Sequence, residues 1–222
     1  MFLLIASACT VSAAERAAIV APAAAKVAGA TSAEWSAKWW QWAMSTPPGT
    51  RPYEDLTGAQ CADGQQGPVW FLAGTSGGSV VNRTCTVPKG KYIFFPVINM
   101  LYYSPRDQHA ACDDVRARAS ANNDHLQHAI VTIDDVLVPD VKRFRARADG
   151  CFDTFSRAPY AGKPGVFAPA ASDGFWIMLI PPKIGRHHLS VRANYANPDG
   201  DQYGGEMIQY FDYTLDVVDP TI

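Results

Sequence analysis

The chain lacks a charge of either sign in excess. Nineteen Lys and Arg face 21 Asp and Glu, a formal net charge of -2. So even a balance sets up no field to draw in DNA, RNA or an anionic membrane surface, and nucleic acid is not an expected partner. Beyond the first residues there is no stretch of 18 to 20 uninterrupted apolar residues, so no membrane-spanning helix is expected. No Gly-x-Ser-x-Gly elbow occurs, which argues against a serine hydrolase of that type. The glycine-rich segment 74–78 is not followed by the Lys-Ser/Thr pair that a phosphate-binding loop needs. No two cysteines after residue 9 lie at the short spacing of a zinc clip.

What the chain does have is turn residues and aromatics. Seventeen Gly and 16 Pro accompany 10 Phe, 9 Tyr and 6 Trp. That mixture suits many short strands joined by turns better than a helical bundle. The apolar start, Met1 to Ala8, followed by Val11-Ser12-Ala13-Ala14, reads as a signal peptide over 1–14, shortened at its basic end. A second reading makes Cys9 a lipid anchor, although the residue three before it is not Leu. With the leader removed, Cys61, Cys85, Cys112 and Cys151 remain for an oxidising compartment, periplasm or extracellular, and two disulfides are expected. Of three connectivities, Cys61 with Cys85 and Cys112 with Cys151 is preferred, because each pair staples neighbouring segments.

Residues 15–30 are rich in alanine and read as a tether, leaving one domain over 31–222. Thr31-Ser32-Ala33-Glu34 has the form of a capping box, and a helix over about 32–45 follows. Trp35, Trp39 and Trp42 share one face of it at i, i+4 and i+7, while Trp40 points elsewhere. Such a stripe docks a helix on a core more often than it binds a ligand. From Pro68 onward, short apolar or alternating runs are divided by Gly, Pro, Asn and Asp. Residues 69–87 read as a hairpin turning at 74–78, and 91–100 as a central strand with Pro96 marking a bend or its end. A short helix is expected over 112–122, a strand over 128–133, and a pair of antiparallel strands over 174–180 and 186–195. In the last strand, Phe211, Tyr213, Leu215 and Val217 mark the dry face. The fold class expected is all-β with a short N-terminal helix: a disulfide-bonded antiparallel β-sandwich, immunoglobulin-like or jelly-roll.

Several segments, Trp35 to Trp42, Gly67 to Thr75, Cys85 to Lys91 running into Phe94 to Asn99, Asp173 to Trp176, Pro182 to His188 and Tyr213 to Leu215, resemble a group of uncharacterised exported bacterial proteins. The resemblance spans most of 32–218 and implies export and a β-fold, with no activity or site residues to carry over. The stretch 195–206 departs from that group in being longer and more acidic.

Candidate chemistry falls into four sets. Asn197, Asp199, Asp201 and Glu206 in the 195–206 loop are oxygen ligands that suit calcium, though Gln202 stands where an EF-hand loop needs Gly. His125 and His128 precede or begin a strand and share a metal only if the chain bends; His187 and His188 fall on opposite faces, His187 reading as a hydrogen-bonded core residue. Asp107, Asp113, Asp114, Asp173, Asp199, Asp201 and Glu206 are the carboxylates from which a glycoside-cleaving pair would have to come. Finally, Trp70, Trp176, Tyr195 and Tyr203, with Tyr92, Tyr102, Tyr103 and Tyr210, are candidates to stack on sugar faces, with Asn194, Asn99, Asp199 and Gln202 as polar contacts. The functional expectation is a non-catalytic module that binds carbohydrate or another envelope polymer; the alternatives are a metal- or carboxylate-dependent polymer hydrolase and a structural envelope protein.

Overall fold

The computed structural model describes residues 19–78, 80–108, 110–161, 169–200 and 204–220. The leader, Cys9, Asp201 and Tyr203 lie outside the described residues. Helix α1 spans Ser32–Ala43 and α2 spans Cys112–Ser120. The strands are β1 (Val69–Phe71), β2 (Val80–Pro88), β3 (Tyr92–Tyr103), β4 (Leu126–Ile133), β5 (Val136–Leu137), β6 (Arg145–Arg147), β7 (Ala170–Leu179), β8 (Gly185–Ala196) and β9 (Glu206–Val218). They form two sheets, one ordered β1-β3-β7-β6 and the other β2-β9-β8-β4-β5.

The sandwich core lies between them. Ile93, Phe95, Ile98, Phe175, Ile177 and Leu179 of the four-stranded sheet meet Val81, Val131, Val191, Phe211, Leu215 and Val217 of the five-stranded one. The five-stranded sheet alternates, its outer residues exposed, as the period of β9 requires. The four-stranded sheet is buried on both faces. Trp35, Trp39 and Trp42 of α1 lie on Phe71, Phe94, Trp176 and Met178, with Phe94 and Trp176 stacked at 5.2 Å. This is why β7 is buried along its whole length. The capping box forms as expected, Glu34 N–H donating to the Thr31 hydroxyl and Thr31 N–H to the Glu34 carboxylate. Each indole of the stripe also donates to a main-chain carbonyl: Trp35 to Val27, Trp39 to Leu72 and Trp42 to Asp63. The stripe is packing.

Both expected disulfides are present, Cys61–Cys85 and Cys112–Cys151. The Asp134-Asp135 turn between β4 and β5 has φ of 50° and 62° at its two residues, as a two-residue hairpin turn demands. Pro96 does mark an irregularity, for the pairing of β3 with β7 shifts register between Pro96 and Ile98.

Four expectations need correction. Residues 69–87 are not a hairpin, since β1 and β2 belong to different sheets, and neither are 174–195, whose strands β7 and β8 are likewise split. A glycine- or proline-rich connection looks the same in sequence whether the chain turns back within a sheet or crosses to the facing one. Nor are the sheets wholly antiparallel: β1 pairs with β3 and β2 with β9 in parallel. Residues 19–30 are not a loose tether. Ala21 N–H donates to Met178 O and Ile180 N–H to Ile19 O, so the segment continues the edge that short β6 leaves open on β7, and Ala21, Val27 and Ala30 are buried. Small side chains bury little area each but allow close approach, which composition alone does not reveal.

Candidate functional site

One cleft stands out by volume, about 650 Å3, at the end of the sandwich where α1, both sheets and two loops meet. Its walls come from Trp39, Trp40 and Met44 of α1, Arg51 and Tyr53 of the loop after it, and the 74–78 loop. Asn99, Met100, Leu101 and Tyr103 of β3, and Glu206 to Gln209 of β9, complete it.

Local structure fixes these walls. Past the Pro96 irregularity, Leu101 and Tyr103 lie on the face of β3 that packs with Trp40 and Met44. Trp40 is off the buried stripe and half-buried, edge-on to Trp39 at 4.9 Å and 6.5 Å from Tyr53. The loop wall is held by Gln209, whose side chain accepts from Thr75 N–H at 2.7 Å and donates to Thr75 O at 2.8 Å. Gly74 is required there, since a Cβ would stand 2.6 Å from the Gln209 side-chain oxygen. Beneath the same loop, Arg83 donates to the carbonyls of Ala73 and Gly74 and to the Tyr213 hydroxyl.

The polar content of the cleft is one-sided. Trp40 Nε1, Arg51 Nε and Asn99 Nδ2 are buried nitrogen atoms with no hydrogen-bond partner, and all three residues line the cleft. Asn99 is only 8% exposed. A buried donor left unpaired costs about 1–3 kcal/mol, so three on residues lining one cleft, from α1, the loop after it and β3, would gain from acceptors brought from outside. Arg51 donates from Nη1 to the Tyr53 hydroxyl at 2.8 Å, and the nearest carboxylate in sequence, Glu54, instead accepts from the backbone N–H groups of Gly49 and Arg51. Burial works against the Arg51 charge, but the Tyr53 and Tyr160 hydroxyls outweigh it and hold its pKa above the ordinary value. Burial pushes the Tyr53 phenol up, against the pull of Arg51.

The residues singled out from sequence are mostly elsewhere. Trp70, Trp176 and Tyr195 are buried at 7%, 1% and 2% exposure and cannot stack on a ligand. They are core residues, a correction with two causes: Trp176 is covered by the second apolar layer that α1 adds, and Trp70 and Tyr195 lie in the core between the sheets. Asn194 and Tyr210 face outward from the five-stranded sheet, away from the cleft. Asn197 is tied up locally, Nδ2 donating to Asn122 and Oδ1 accepting from Asp199 N–H. Asp199 and Glu206 are exposed, and among the described residues no three His, Cys, Asp or Glu side chains gather as a metal site. His187 lies between two acceptors, Asp134 Oδ2 at 2.7 Å and Lys183 O at 2.9 Å. Asp173 is clamped by Arg145 and Arg147, which also share Asp124; burial raises its carboxyl against those cations. From the wider aromatic and amide set, Asn99 and Tyr103 do reach the cleft. Trp40, Arg51 and Tyr53 were missed; the signal was a tryptophan off the packing stripe, followed by Arg and Tyr after a Pro-Pro-Gly stop.

No family model matches the chain, and no curated protein matches it. Among solved structures, the chain is similar to the solution structure of amebosin at 12% identity and a TM-score of 0.21, over 68% of this chain and all of that one. A likeness that weak carries no argument about fold or function. Among the described residues no helix is long and apolar enough to cross a membrane.

Proposed function

We propose that this is an exported protein that binds an oligosaccharide segment of an envelope or extracellular polymer in the cleft between α1 and the sheet end, without cleaving it. The observation that carries this reading is the wall itself: half-buried aromatic rings beside unpartnered N–H donors. Rings stack on the apolar faces of sugars, and donors meet their oxygens. Two disulfides support a life outside the reducing cytosol.

Hydrolysis is the weaker reading. The cleft presents one carboxylate among its described lining residues, Glu206, whereas the common mechanism of glycoside cleavage uses a pair. Among the described residues, neither His nor Cys lines it.

The test is the melting temperature of the disulfide-intact protein with a panel of oligosaccharides, followed by product analysis for any that shift it. A ligand at 100 times its Kd adds about 2.7 kcal/mol. For a domain of this size that raises Tm by roughly 5–10 °C. A shift with the sugar recovered intact supports the reading. A shift with shortened products favours the hydrolase, and no shift across the panel removes the oligosaccharide.

A further inference from the structure

We infer that the cleft selects a carboxylate-bearing sugar, a uronic acid unit, over its neutral counterpart. This rests on the oligosaccharide reading above and narrows it. Among the described residues, every unpartnered buried polar atom on the lining of the cleft is a nitrogen donor: Trp40 Nε1, Arg51 Nε and Asn99 Nδ2. The buried unpartnered oxygens, on Asn123, Thr154 and Ser172, are on residues that do not line it.

A neutral sugar brings hydroxyls, each of which donates as well as accepts, and a wall built to receive it carries both kinds of partner. The lining also holds groups that accept, the Glu206 carboxylate, the Thr75 and Ser76 hydroxyls and two phenols, but its buried groups without a partner only donate, and an ionised carboxylate, which only accepts, is the group that answers them. The second observation is charge. Arg51 is a half-buried guanidinium whose side-chain partner is a phenol, so its burial is not compensated by a carboxylate within the described residues. An arriving anion supplies that compensation, and the guanidinium fork suits a carboxylate's two oxygens. Arg83 makes a useful contrast. It is just as cationic, but five acceptors, four carbonyls and the Tyr213 hydroxyl, surround it, so it asks for nothing from a ligand.

Asn99 is held where it is by close packing. Gly174 of β7 faces it, and a Cβ there would stand 2.5 Å from the Asn99 Cβ. The backbone and Cβ of Asn99 are therefore closely packed against β7, so the residue is placed at the cleft before any ligand arrives, which limits the ordering cost of binding there.

The experiment compares pairs that differ only in the carboxylate: galacturonate, mannuronate and glucuronate oligosaccharides, each beside its methyl ester. Titration calorimetry on the full disulfide-bonded protein reads affinity at two salt concentrations. At least one acid is expected to bind about tenfold or more tighter than its ester, the size of effect that a charge-assisted hydrogen bond gives, and more weakly at higher salt. Arg51→Gln should bring acid and ester to the same affinity, and Trp40→Phe, which keeps a ring but loses its N–H, should weaken both. Circular dichroism melts of both variants establish that they fold, and ester binding serves as the internal control. Equal binding of acid and ester to the wild type overturns the uronate selectivity and leaves the oligosaccharide reading standing. No binding by any pair overturns both.

Discussion

Replacing Arg83 with Met should cost far more than its place on an outer strand of the sheet suggests. Arg83 is 3% exposed, and its guanidinium donates to Ala73 O at 2.9 Å, Gly74 O at 2.8 Å, Asp55 O and Tyr53 O, and to the Tyr213 hydroxyl at 3.1 Å. Methionine has similar reach and no charge to desolvate, and exchanging a buried ion pair for apolar side chains is often neutral or stabilising. Here that gain fails because the partners are main-chain carbonyls, which the substitution cannot remove. Ala73 O keeps a donor in Tyr213. Gly74 O and Asp55 O each lose the Arg83 donor, at about 1–3 kcal/mol apiece for a buried group. With relief of the guanidinium's own desolvation set against that, the net loss is about 3–4 kcal/mol. In a domain of this size it lowers Tm by roughly 6–15 °C. Arg186→Met is the control. Its exposed, solvent-screened pair with Asp216 on the outer face should contribute little, and its loss should leave the denaturation midpoint nearly unchanged. The assay is chemical denaturation of both variants at one pH with disulfides intact. An Arg83→Met protein within about 1 kcal/mol of wild type would refute the argument that carbonyl satisfaction dominates there.

Other perturbations follow from single features. Thr31→Ala removes the hydroxyl arm of the capping box while its own backbone N–H can still donate to Glu34, and should lower stability by about 1 kcal/mol in the same denaturation assay. The two disulfides should rank against their loop lengths: chain entropy alone gives about 3.5 kcal/mol for the 24-residue separation and about 3.9 for the 39-residue one. Cys85 is buried in the sandwich core, however, so Cys61→Ala with Cys85→Ala adds a cavity cost and should be the more damaging pair. His187 is opposed by burial but raised overall by Asp134 and the Lys183 carbonyl. A raised folded pKa stabilises fully below the unfolded value near 6.5 and is lost as pH rises through the folded value. Wild type minus His187→Gln should therefore lose stability between neutral and mildly alkaline pH, and a flat difference over that range would count against the assignment.

The fold was legible wherever one residue pattern answers to one physical requirement. The alternation from Phe211 to Val217 needs a sheet with one dry face, and the Trp35, Trp39, Trp42 spacing needs a helix with one buried stripe; both are found. Strand pairing was less legible because it depends on partners far away in sequence. Val80 pairs with Tyr210 across 130 residues, in parallel, and nothing local to either distinguishes that from a hairpin. Candidate ligand aromatics failed for a related reason. Trp176 and Tyr195 differ from exposed aromatics only in what covers them, and the cover is supplied by α1 and the opposite sheet. Among the described residues of the acidic 195–206 loop, local turn bonds rather than a gathered ligand set account for Asn197 and Asp199.

Apart from Asn99, Tyr103 and Glu206, the cleft residues escaped sequence reading because packing rather than motif brings them together. Trp40 matters by being off the stripe that its neighbours obey: the helix docks through Trp35, Trp39 and Trp42, which leaves the fourth indole at the rim with its N–H unpaired. The opposing wall is equally a by-product of packing, with Gly74 small enough for Gln209 to lock Thr75 and Arg83 holding the loop from below. These locks mean the loop need not be ordered on binding, which removes one of the main costs of association. The same rigidity bears on binding against catalysis. A hydrolase needs a second carboxylate at a set distance from Glu206, and the fixed wall facing β9 supplies, among its described residues, an amide, an indole, a guanidinium and phenols. On the reading proposed above those groups hold a sugar and read its charge, whereas cleavage by the common mechanism would need a second carboxylate beside Glu206, which the described lining does not include.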